Sequence, residues 1–149
     1  MTDEEISYKI IGCAMKVNNT LGNRFQKVIY QRCLAIEFER ALLRFGREIE
    51  QIIFYDGINI GTRRVDFVVE EKIIVELKAL INLEDVHPAQ AKNYVVAYDF
   101  LTGLLINFDA TSLQYKKVFN PKYNADKNPA NPIINKIMIQ TICSKTTRN

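Results

Sequence analysis

The chain has 149 residues, 48% of them hydrophobic, with 20 Lys or Arg against 17 Asp or Glu and a formal net charge of +3. That length supplies one domain with a sizeable core and argues against two. No apolar run approaches the roughly 18 residues of a membrane span, and the opening Met1-Thr2-Asp3-Glu4-Glu5 is acidic where a secretory signal is basic, so a soluble, cytoplasmic protein without membrane partners is expected.

Ile6, Ile10, Ala14, Val17 and Leu21 recur at helical spacing and predict a first helix ending near residues 19–22. A second helix is expected from Phe25 to Leu43, with Val28, Ile29, Cys33, Ile36 and Leu42 on its buried face and Gly46 as its stop. The two helices should pack side by side. After Gly46 the period shortens, and three strands are expected near 49–55, 60–69 and 72–80, an antiparallel meander punctuated by Asp56-Gly57, Gly61 and Glu70-Glu71. A third helix follows, with Asp85 as its cap and Pro88 in its first turn, where a missing N–H does no harm. Two more strands are expected at 103–109 and 113–119. The order α-α-β-β-β-α-β-β predicts an α/β or α+β domain, a central mixed sheet flanked by helices.

Residues 120–132 turn to Asn, Pro and Lys and read as a loose linker, followed by an apolar segment, 133–142, that fits a helix or a strand. From residue 116 onward there are seven Lys or Arg against Asp126 alone, a net +6, which leaves residues 1–115 at −3. A domain over 1–120 with a basic extension over 121–149 is therefore expected. Such a tail attracts phosphate backbones or simply stays solvated, and its apolar segment is a candidate for homo-oligomer contact. Cys13, Cys33 and Cys143 lack the paired spacing of a zinc site and read as reduced thiols.

The chemistry is concentrated in "VDFVVEEKIIVELKAL", residues 65–80, a strand-forming stretch that carries Asp66, Glu76 and Lys78. Glu76 and Lys78 share one face of their strand. Asp66 joins them only if the hairpin loop has an odd number of residues or a bulge intervenes, because a two-residue turn at Glu70-Glu71 would pair Asp66 with Val75 instead. An odd loop or a bulge is therefore expected. Buried carboxylates need partners. A salt-bridge cluster provides them; so does a hard cation held by Asp66, Glu76 and the backbone carbonyl of Leu77, with Lys78 beside it to position and activate a water. On the following helix His87, Gln90 and Tyr94 fall on one face, where they line a rim or meet a phosphate.

The arrangement Asp66, then Glu76-Leu77-Lys78, then Gln90-x-x-x-Tyr94 resembles the PD-(D/E)XK nuclease superfamily and its RecB-like branch. Residues 6–120 are similar, more narrowly, to the GxxExxY family, through "TLGNRFQKVIYQRCLAIEFE", "HPAQAKNYV" and "GLLINF". The resemblance implies a restriction-endonuclease-like core and hydrolysis of phosphodiesters in nucleic acid, with DNA the expected substrate. It implies Asp66 and Glu76 as ligands of Mg2+ or Mn2+, which the Leu77 carbonyl would join, Lys78 as the catalytic lysine, and Gln90 and Tyr94 as supporting or substrate-contacting residues. Where the GxxExxY pattern has Gly and Glu, this chain has Arg24 and Lys27, keeping Tyr30. Lys27 is then expected either to pair with Asp66 or Glu76 in place of the cation or, with Arg24 and His87, to contact nucleic-acid phosphates. A domain that has lost catalysis and binds nucleic acid or a protein partner is the alternative function.

Overall fold

The computed structural model describes residues 1–80, 88–92 and 102–120. In chain order the elements are α1 (Asp3–Leu21), α2 (Lys27–Arg40), β1 (Phe45–Tyr55), β2 (Ile58–Val69), β3 (Ile73–Lys78), β4 (Thr102–Asn107) and β5 (Gln114–Phe119). A helical stretch over 88–92 lies between β3 and β4.

The acidic opening is the head of α1. Thr2 Oγ1 accepts the Glu5 N–H and the Glu5 carboxylate accepts the Thr2 N–H, both at 3.2 Å, while Asp3, Glu4 and Glu5 complement the positive end of the helix. Ile6, Ile10, Ala14 and Val17 are buried, as their spacing requires.

In α2 the buried face is not the expected one. Tyr30, Gln31, Leu34 and Phe38 point inward, whereas Val28, Ile36 and Leu42 are exposed, Leu42 by 86%. Steps of four residues from Tyr30 through Leu34 to Phe38 put the largest side chains on one stripe, where the Phe38 ring meets Phe45 and Phe67 and the Tyr30 ring stacks on Phe108. The helix also ends earlier than Gly46. The Leu43 N–H donates to Phe38 O and the Leu42 N–H to Glu39 O, closing the helix with Leu42 at φ 59 in the left-handed place a glycine usually takes. Gly46 lies inside β1.

The five strands form one sheet in the order β1-β2-β3-β4-β5. β1, β2 and β3 are the expected antiparallel meander, β3 and β4 run parallel, and β5 returns antiparallel to β4. Asp56 and Gly57, at φ 49 and 75, make a two-residue turn between Tyr55 and Ile58. One face of the sheet packs on α1 and α2 through Phe67, Val69, Ile73, Val75, Leu77, Leu104 and Ile106. The other face buries Val68, Ile74, Leu105 and Val118 with Ala91 of the 88–92 stretch, so helical segments cover both faces.

Between β2 and β3, Val69 pairs with Ile73, which leaves a three-residue loop, Glu70, Glu71 and Lys72. This is the odd loop that the charges required. Arg44, just before β1, holds it: the Arg44 N–H donates to Glu70 Oε1 at 2.9 Å, Nε to Oε2 at 3.0 Å, and Glu70 returns its own N–H to Arg44 O at 2.8 Å. The clamp fixes a loop whose Glu70 and Glu71 both adopt left-handed φ, and through it the register of β3 on β2. The third helix's expected cap, Asp85, the linker and the segment 133–142 lie outside the described residues.

Candidate functional site

The register set by the three-residue loop carries Asp66 to a position across from Glu76, but the ladder is broken there. Val65 and Phe67, which strict alternation would place together, enter opposite cores, and Glu48, on the partner strand, has φ 52. The strand rolls at Asp66, and side chains replace the missing ladder bonds. The Asp66 N–H donates to Glu76 Oε1 at 3.3 Å, and the Leu77 N–H donates to Asp66 Oδ2 at 2.8 Å. Both carboxylates are buried, each 6% exposed.

From α2 two more groups reach Asp66. Gln31 Nε2 donates to Oδ1 at 2.9 Å, and the Lys27 ammonium lies 3.0 Å from Oδ2. Of the two roles expected for Lys27, this geometry realises the first: it pairs with an acid of the site. Lys27, Gln31, Leu34 and Phe38 follow one another at steps of four, three and four, a polar head on the buried stripe. Reading that stripe in the sequence would have identified Gln31, a site residue that the charges alone did not.

Glu76 is short of positive charge. Burial, and then the neighbouring charge of Asp66, push its carboxyl up to about 7, against the weaker pull of the Asp66 N–H, Lys27 and Lys78. Lys78 closes β3, half-buried, beside Asn107 of β4. Its carbonyl accepts the Phe108 N–H at 3.0 Å. Asn107, fully buried, continues the ladder past Lys78: its Oδ1 accepts the Leu80 N–H at 2.9 Å and its Nδ2 donates to Leu80 O at 2.8 Å, which holds the end of the strand in place.

Arg24 stands in the loop before α2 at φ 73, the left-handed region where glycine is favoured, and its N–H donates to Asp109 Oδ1 at 2.6 Å. Tyr30 is a structural clamp on the same loop. Its hydroxyl donates to Gly22 O at 2.9 Å and accepts the Phe25 N–H at 3.2 Å. Gln90 is exposed on the 88–92 stretch and, among the described residues, makes no bond to the acids; His87 and Tyr94 lie outside those residues.

Asp66, Glu76 and the Leu77 carbonyl are hard oxygen donors of the kind that Mg2+ or Mn2+ takes. The described residues gather no group of three or more His, Cys, Asp or Glu. Two carboxylates and one carbonyl would offer a single hard cation three oxygen ligands, and its charge would offset the burial of Glu76 beside Asp66.

A search of curated proteins finds no match. Among solved structures the chain is similar to that titled "Crystal structure of SSO0001", at 17% identity and a TM-score of 0.52, covering 83% of this chain and 59% of that one, so that it spans about three fifths of that protein's length. It is also similar to an alkaline exonuclease (LHK-Exo) from Laribacter hongkongensis, at 8% identity and a TM-score of 0.44, covering 96% of this chain and 94% of that one. At such identities a likeness speaks to the fold alone, and the fold is the restriction-endonuclease-like mixed sheet flanked by helices. The profile of the PD-(D/E)XK nuclease superfamily matches residues 4–118, from the first turn of α1 through the broken β2–β3 ladder to all but the last residue of β5, and the chain belongs to that superfamily.

Proposed function

We propose that this chain hydrolyses phosphodiester bonds in nucleic acid, DNA in the first instance, with one bound Mg2+ or Mn2+. Members of its superfamily generally use divalent metals. The observation that carries the reading is the pairing of two buried carboxylates at a break in the sheet, with Lys78 on the same strand. Asp66, Glu76 and the Leu77 carbonyl would hold the cation. When bound, it supplies a water of lowered pKa and charge to set against the phosphate. Gln31 and the Leu77 N–H orient the Asp66 carboxylate, and Lys78 positions and polarises the attacking water. Gln90 and Tyr94 act as supporting residues from the following helix, and Arg24, Lys27 and His87 contact phosphates. The basic extension over 121–149 adds further phosphate contacts and, through 133–142, a contact with a second copy of the chain. The GxxExxY family, with the two departures at Arg24 and Lys27, is the narrower assignment that fits this reading, and the cytoplasm is the compartment it suits.

One observation favours a second reading, in which the domain binds nucleic acid or a protein partner with weakened catalysis: the ion pair of Lys27 with Asp66. Incubation of the protein with supercoiled plasmid and with single-stranded DNA in Mn2+, beside Glu76→Ala, decides between them. Cleavage by the wild type that Glu76→Ala lacks supports hydrolysis. Salt-dependent DNA binding with no cleavage supports the second reading.

A further inference from the structure

We infer that Lys27 is a resident counter-cation of the acid pair, competing with a divalent metal for Asp66 and holding the site closed until metal or a phosphate draws it away. The inference rests on the metal-dependent reading above and concerns how that site is regulated.

Asp66 Oδ2 already accepts the Leu77 N–H and faces the Lys27 ammonium, while Oδ1 accepts Gln31. Oδ2, with two such donors, has no lone pair left, so a metal that takes Oδ2 must displace one of them, while a metal on the remaining lone pair of Oδ1 would sit against the charge of the Lys27 ammonium. The Leu77 amide is fixed in β3, and Gln31 is 4% exposed beneath α2. Lys27 alone is free to move: its side chain is 46% exposed on a flexible four-carbon stem. Its position is also unfavourable without Asp66, because it opens α2, where the helix dipole disfavours a cation. The acid partner is what holds it there.

An ammonium released from Asp66 is free to bind a phosphate oxygen. A nucleic-acid phosphate that takes Lys27 opens Asp66 to metal, and metal at Asp66 frees Lys27 for phosphate, so the two ligands favour each other by linkage.

The test is a calorimetric titration of the intact chain with Mn2+, comparing wild type, Lys27→Met and Lys78→Met. Lys78→Met removes an equal charge near Glu76 without touching the Asp66 ion pair, and Lys27→Gln replaces Lys27→Met if the latter folds poorly. The expected result is a dissociation constant at least tenfold lower for the Lys27 variant and changed less than threefold for Lys78→Met. Equal affinity in wild type and the Lys27 variant overturns the competition and leaves the metal reading standing. Equal tightening by Lys78→Met overturns it too, since general charge would then explain the gain. Binding by neither wild type nor the Lys27 variant overturns the competition and the metal reading together.

Discussion

The Glu76 carboxylate accepts the backbone N–H of Asp66 at 3.3 Å, a side chain standing where a strand ladder would place a carbonyl. That one bond does not offset the burial of Glu76 beside a second carboxylate.

A pH dependence of stability follows. The carboxyl is pushed from 4.5 to about 7 on folding, so folding favours its protonated form. The stabilisation is fully present below about pH 4.5 and is lost as pH rises through 7, amounting to up to about 3 kcal/mol. Glu76→Gln keeps a neutral group at every pH and should flatten this part of the profile. Urea denaturation of both proteins without metal, at pH 5 and pH 8, measures it. The wild type should lose stability relative to Glu76→Gln between the two, and parallel profiles would contradict the assignment.

Leu42 closes α2 at φ 59 with its side chain 86% exposed, so it gains no burial to offset the left-handed backbone. Leu42→Gly should stabilise the fold by up to about 1 kcal/mol, read as a higher melting temperature. Arg24→Gly, at φ 73, should act in the same direction, with the Asp109 bond kept because it is made by the backbone N–H. A fall in melting temperature for both would mean that these side chains make contacts that outweigh the backbone strain.

How far the site could be read in advance depended on what each inference rested on. The odd hairpin loop was legible because buried carboxylates need partners, and the two-fold period of a strand brings Asp66 to the face of Glu76 and Lys78 only with an odd loop or a bulge. The pairing of Lys27 with Asp66 was legible as one of two options, since Lys27 stands where the GxxExxY pattern has its Glu. The buried face of α2 was not. Counting apolar residues favoured Val28, Ile36 and Leu42, but the sum of ring and leucine volumes at Tyr30, Leu34 and Phe38 decides which face is inside, and Gln31 is carried in with them. The roll of β2 at Asp66 left no sign in the local alternation, because it is stabilised by side-chain bonds to residues distant in the sequence.

The Glu70 clamp should matter more than its place in a surface loop suggests. Glu70→Ala removes both Arg44 bonds to the loop that sets the β2–β3 register, at an expected loss of about 1–3 kcal/mol in urea. If the chain cleaves nucleic acid as proposed, the same substitution should lower cleavage without touching the acids, because the facing of Asp66 and Glu76 depends on that register. Unchanged stability would show that the loop's own geometry suffices.

Gln31 and Lys78 separate stability from chemistry. Gln31→Leu leaves Asp66 Oδ1 buried without its donor and should cost about 1–3 kcal/mol. Lys78 is half-buried and makes no ion pair within 4 Å among the described residues, so Lys78→Met should change stability by less than about 0.5 kcal/mol. If Lys78 positions and polarises the attacking water, the same substitution should slow cleavage about 100-fold to 10,000-fold. Urea melts paired with single-turnover cleavage in Mn2+ test both at once. A Lys78→Met protein that melts like the wild type and cleaves at the wild-type rate would remove Lys78 from the reaction. A Gln31→Leu protein that keeps wild-type stability would mean that Lys27 and the Leu77 N–H alone satisfy the buried carboxylate of Asp66.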